Sequence, residues 1–164
     1  MPAEHPTAPF APASGTGRPI GGAWFALTLA LALHVIDEAA HDFLSIYNPS
    51  VLAIRQRFPL LPLPTFTFPV WLTGLILAVL GLLALSPLAL RNNRWLVRLS
   101  CPFAALMFAN GFGHIGYSLY SKTLMPGVWS SPLLLMASAW LLVAARGSSR
   151  PAPAVARHRT GGPP

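Results

Sequence analysis

Residues 22–46 read GAWFALTLALALHVIDEAAHDFLSI. The first half is an apolar run suited to a bilayer, but it leads without a break into His34, Asp37, Glu38, His41 and Asp42. A charged side chain at the centre of a span costs about 2.5–3.5 kcal/mol, whereas each Leu, Ile, Phe or Val returns only about 0.3–0.6 kcal/mol. Apart from Glu4, every acid of the chain lies in the six positions from Asp37 to Asp42. Such groups need partners inside the fold, and their concentration on one span marks a site.

The rest of the chain supports the membrane reading. Of 164 residues, 54% are hydrophobic and 9% charged, against about 25% charged in an average soluble domain. That balance excludes soluble enzymes, disulfide scaffolds and disordered regulators, and the length allows one bundle. The pattern predicts an all-α fold, an integral membrane four-helix bundle with spans at about 22–46, 69–90, 95–120 and 130–146. Residues 1–21 and the basic stretch 147–164 are expected to be disordered tails. Residues 1–21 lack the basic start and cleavage site of a signal peptide. Pro132 suits the first turn of the fourth span, and Pro102 should kink the third. In the first loop, Asn48-Pro49 reads as a cap and first-turn proline for a short interfacial helix, and the prolines at 59, 62, 64 and 69 then hold an extended segment over the outer face.

The net charge of +7 reflects topology, since the cations flank apolar segments and no aromatic and basic groove pattern for nucleic acid is present. If both termini share a side, Arg18, Arg91, Arg94, Arg98, Arg146, Arg150, Arg157 and Arg159 face it, leaving Arg55, Arg57 and Lys122 opposite. This places both termini on the cytoplasmic side, with the flanking cations against anionic lipid headgroups. Trp24, Trp71, Trp95 and Trp129 fall near helix ends, as interfacial indoles do. The lone Cys101 forbids an internal disulfide and reads as a buried thiol.

On a helical wheel, His34, Glu38, His41 and Ser45 share an arc of about 60°, with Asp37 and Asp42 on its borders. Asn110, His114, Tyr117 and Ser121 form a second stripe of about the same width on the third span. At about 1.5 Å per residue, Glu38 lies about 24 Å from Gly22 and Asn110 about 23 Å from Trp95, which sets Glu38 level with Asn110 and His41 level with His114. A site between the first and third spans follows. The second and fourth spans, with Thr73, Ser86, Ser130, Ser131 and Ser138, read as scaffold around an apolar pocket.

The residue types allow two chemistries. Zinc would take His34, Glu38, His41 and His114 as ligands, with Asn110 or Asp37 orienting them from behind. Without metal, a buried Glu38 paired with His34 or His114 is an acid/base centre for an apolar, lipid-like substrate that Asn110 and Tyr117 would orient. A dimetal carboxylate site needs a second Glu-x-x-His pair that one chain lacks, and a haem between His41 and His114 is disfavoured. The bland alternative is a polar network that only fixes helix packing. Asp37 and Asp42 could instead reach headgroup water or pair with Arg55 or Arg57, which are themselves solvated charges or anchors for an anionic group. Gly111-Phe112-Gly113-His114-Ile115-Gly116 spells a dinucleotide fingerprint, but no strand precedes it, so these glycines serve close helix approach.

His34-Val35-Ile36-Asp37-Glu38, Asn110-Gly111-Phe112-Gly113-His114 and Pro126-Gly127 together resemble a family of bacterial membrane proteins named for an H-x-x-E-E motif, with N-x-x-x-H and a later Pro-Gly. The resemblance covers roughly residues 25 to 145, with Asp37 in place of the first Glu. It implies a multi-span protein of the bacterial inner membrane and no particular reaction. The reading that results is a small membrane enzyme, metal-assisted or acid/base, acting on a hydrophobic molecule. The alternatives are a subunit that binds and passes on a metal ion or proton, and an assembly factor.

Overall fold

The structure, a computed structural model, describes residues 20–148. The two expected tails, apart from Ile20, Gly21, Gly147 and Ser148, lie outside the described residues. Ile20 and Gly21 belong to the bundle. Ile20 is fully buried and its N–H donates to Asn92 Oδ1 at 3.0 Å. A Cβ on Gly21 would stand 2.9 Å from the Cα of Leu90, so only glycine permits that approach.

Every regular element among the described residues is a helix: α1 (Gly21–Ala40), α2 (Leu44–Arg57), α3 (Phe68–Ala84), α4 (Ser86–Leu90), α5 (Arg94–Ser121) and α6 (Ser131–Ser148). Four stretches are long and apolar enough to cross a membrane: α1, α3 with α4, α5 and α6. The second span breaks at Leu85, where Pro87 has no N–H to offer the carbonyl of Leu83. Helix α5 runs unbroken through Pro102.

The first span ends earlier than residue 46. Asp42 takes a left-handed conformation with φ of +53°, and the Phe43 N–H closes back on the Glu38 carbonyl at 3.1 Å. That six-residue closure is the Schellman arrangement, usually built on glycine and occasionally on Asn or Asp. The interfacial helix therefore starts at Leu44, and Pro49 lies inside it. Asn48 does not cap the helix. Its side chain exchanges two hydrogen bonds with the backbone of Phe66, at 2.9 and 3.1 Å, and Tyr47 Oη donates to Pro64 O, so the proline-rich segment is tied down along α2.

Helix α1 is central and packs on α6, α3, α4 and α5, while α6 is wedged between α1 and α5. The core is a Leu/Ala layer including Leu27, Ala30, Leu96, Ala104, Leu134 and Leu141. Because Trp24 lies on the inward face of α1, it is not an interfacial indole: it is buried and its N–H donates to Leu82 O at 3.0 Å. Trp71 is also buried, whereas Trp95 and Trp129 are exposed. Of the glycines in the 111–116 run, Gly111 serves close packing, with Leu135 and the Ser131 carbonyl each 3.2 Å from where a Cβ would be; Gly113 and Gly116 face open space. Helix α3 turns one stripe, with Trp71, Leu72, Leu75, Val79 and Leu82, to the core and leaves its other apolar faces uncovered, as a lipid-facing helix does.

Candidate metal centre

Glu38 and His34 lie one turn apart on α1, and His114 comes from α5. Glu38 Oε1 stands 3.1 Å from His114 Nε2 and 3.5 Å from His34 Nε2, and all three residues are buried. The two imidazoles meet nearly edge to face, with ring centroids 4.7 Å apart.

The far side of each ring fixes its protonation. His114 Nδ1 lies 2.6 Å from the Pro126 carbonyl, which can only accept, so Nδ1 carries the proton. His34 Nδ1 lies 2.8 Å from Ser130 Oγ. That hydroxyl has one proton, and two acceptors face it, Asp37 Oδ2 at 2.8 Å and Gly127 O at 3.1 Å. It therefore accepts from His34, and Nδ1 is again the protonated nitrogen. Both Nε2 atoms are left facing Glu38. An Asp37–Ser130–His34 chain and a carbonyl–His114 contact are the kind of support that holds metal-binding imidazoles in one tautomer and orientation.

Asn110 Nδ2 donates to His34 Nε2 at 3.1 Å. Asp37 does not enter the centre. Its Oδ2 accepts from both the N–H and the hydroxyl of Ser130, placing a carboxylate at the start of α6, where the helix dipole favours it. Gly127, with φ of +87°, backs both rings: a Cβ there would come within 2.9 Å of His34 Cε1 and 3.0 Å of His114 Cε1 and Nδ1. Among the described residues, no buried side-chain nitrogen or oxygen is left without a partner.

Two positions differ from expectation. His41 stands apart from the centre, because the helix ends at Ala40; its side chain is 53% exposed and pairs with Asp37, Nδ1 to Oδ1 at 2.9 Å. Tyr117 is exposed and is not among the residues lining the cavity beside the centre. The stripes also meet one turn out of the expected register. His34 faces Asn110 and Glu38 faces His114, in place of Glu38 with Asn110 and His41 with His114. His34 lies 13 residues beyond the first residue of α1, whereas the Asn110 it faces lies 16 beyond the first residue of α5, so the two helices do not start in one plane. Asp42 is exposed, and among the described residues no ion pair joins Asp37 or Asp42 to Arg55 or Arg57.

Ser130 and Gly127 contribute more than scaffold. Serine is too common in helices to stand out, and the one signal for Gly127 was its place in the Pro-Gly pair.

A cavity of about 830 Å³ opens beside the centre between α1, α3 and α5. Glu38, His34 and Asn110 stand at one end; the remaining walls are apolar, including Leu75, Leu82, Phe103 and Met107. Phe43, just after the α1 break, packs between His114 and Trp71, with centroids 5.7 and 5.8 Å away.

A family profile described as "Protein of unknown function with HXXEE motif" matches residues 24–141. The chain belongs to the HXXEE-motif family. Comparisons with curated proteins and with solved structures give no match. In this HXXEE protein the motif divides its labour: His34 and Glu38 turn into the bundle, while Asp37, in place of the first Glu, turns to Ser130. The N-x-x-x-H pair supplies Asn110 and His114, and Pro126-Gly127 supplies the carbonyl and the bare backbone behind the rings.

Two His and one Glu are a ligand set used by catalytic zinc, which keeps a fourth position for water or substrate. Ligand atoms bound tetrahedrally at about 2.0–2.1 Å stand about 3.3 Å from one another. The two separations from Glu38 Oε1 bracket that value, and the three ligand atoms lie within 4.8 Å of one another.

Proposed function

We propose that this HXXEE protein is a membrane enzyme holding one divalent metal, zinc by ligand type, on His34 Nε2, His114 Nε2 and Glu38, and that it acts on a hydrophobic molecule in the adjoining cavity. What carries the reading is the commitment of both Nδ1 atoms as donors, which leaves the Nε2 lone pairs of His34 and His114 converging on Glu38 Oε1, with that of His34 also accepting from Asn110. Such a metal polarises a substrate oxygen or activates a water. The apolar walls strengthen that electrostatic effect by excluding bulk solvent. A half-turn of the Asn110 amide would present Oδ1 to the centre, where it could accept from a hydroxyl or water held beside Glu38.

A second reading is favoured by the Asn110–His34 hydrogen bond, which occupies His34 Nε2 without metal. Glu38 and His114 then share one proton and act as an acid/base pair. Metal analysis of detergent-purified protein separates the two. The metal reading expects about one zinc per chain, lost in His114→Ala and kept in His41→Ala. Folded protein that stays metal-free after zinc is supplied would leave the acid/base pair alone, which Glu38→Gln would abolish.

A further inference from the structure

We infer that the cavity takes a single-chain amphiphile with an uncharged oxygen-bearing head, entering sideways from the bilayer, its head at Glu38 and its tail running toward Leu85 and Phe103. This rests on reading the His34–Glu38–His114 centre as the reacting end.

The shape of the space carries the inference. Along α3 the lining runs from Trp71, beside the centre, to Leu85, fourteen residues or about 21 Å away. A smaller cavity of about 350 Å³ continues past that end toward Trp24, and Leu82, Leu85, Phe103 and Leu106 line both. At about 21 Å the space is longer than the roughly 15 Å of hydrocarbon that one leaflet contributes, so it has room for one acyl or isoprenoid chain close to full extension. Its side is open to lipid: α3 packs on α1 and α4, and α5 on α6, α1 and α4, with no packed interface between α3 and α5. A chain could slip between them without leaving an apolar medium.

The head follows from the polar end. No Lys or Arg lines either cavity, so a phosphate or sulfate head would be buried without a cation beside it. An alcohol, aldehyde, ketone or ester oxygen needs none. It can accept from Asn110 Nδ2 and would be polarised by a metal held on His34, Glu38 and His114.

Gly81 gives a clean test. It lines the cavity ten residues beyond Trp71, and a Cβ there meets no atom within 4 Å, so Gly81→Phe should fold and plug the space about 15 Å from the centre. Gly74, equally free but on an outer face of the same helix, is the control. The experiment photolabels the purified full chain with diazirine analogues of hexadecanol and octanol, and measures oligomeric state and metal content in parallel. The wild type is expected to label with both at peptides of α3 and α5. Gly81→Phe should cut hexadecanol labelling about tenfold, as a clash of overpacking size does, and leave octanol within about twofold. Gly74→Phe should change neither. Equal hexadecanol labelling in wild type and Gly81→Phe would overturn the inference, as would a shift to monomer in Gly81→Phe from an unlabelled dimer, which would make the groove a contact between copies. The chain-length effect in metal-free protein would overturn the metal reading and keep the cavity assignment; bound metal without the effect would do the reverse.

Discussion

Gly127 carries a constraint out of proportion to its size. Its φ of +87° disfavours any side chain, and a Cβ would press on both imidazoles at about van der Waals overlap. Gly127→Ala should lower stability by about 1–3 kcal/mol and weaken metal retention, measured as denaturation midpoint and zinc per chain. Unchanged values in both would remove its role as backing. Ser130 connects Asp37 to His34. Ser130→Ala should leave the ligands in place yet lose about 10- to 100-fold in zinc affinity by competition with a chelator, whereas His41→Ala should change nothing, since His41 faces out with Asp37. At this scale the sequence was readable where a residue is costly. His34, Glu38, His114 and Asn110 stand out on apolar helices because burying them needs a reason. Ser130 and Gly127 cost little anywhere, so their roles appear only once α6 is folded against α1.

The helix ends decide which of those costly residues meet. The Schellman closure at Asp42 stops α1 and leaves His41 outside, although the polar stripe runs through it. Helical periodicity shows which face a residue occupies but not where the helix stops, and an Asp in the left-handed position gives a weaker stop signal than Gly. Asp42→Gly should therefore hold or raise the melting temperature, while Asp42→Val, forced to the same φ, should cost about 1–2 kcal/mol. A fall for Gly as large as for Val would mean that the Asp42 carboxylate, not the backbone, matters. The register error has the same origin: depth counted from presumed helix starts slipped by one turn because α1 and α5 begin at different heights. Helix α2 and the proline segment are joined through Asn48. Asn48→Ala should expose the 58–67 segment to added protease in detergent, with cleavage there rising several-fold; unchanged resistance would show that the prolines alone hold it.

For the whole molecule, hydropathy and charge sufficed to read four apolar helices in one bundle, because a membrane leaves few alternatives to a helix. An apolar pocket beside the polar stripes was legible, but its length and lateral opening were not, since they arise where α3 and α5 fail to pack on each other. The Ile20–Asn92 bond sets the start of α1 beside the turn before α5, so Arg91, Arg94 and Arg98 gather near the start of α1. The charge rule expects that end in the cytoplasm. In cells, Cys introduced for Asn93 should resist a membrane-impermeant thiol reagent and Cys introduced for Thr123 should react; the opposite pattern would invert the topology. The account stands on three ligands converging inside the bundle, and X-ray absorption at the zinc edge tests that most directly. It predicts about two imidazole nitrogens and a carboxylate oxygen at about 2.0–2.2 Å, with the imidazole signal halved in His34→Gln protein that still binds metal. A spectrum with one or no imidazole in the wild type, or zinc bound unchanged after that substitution, would contradict it.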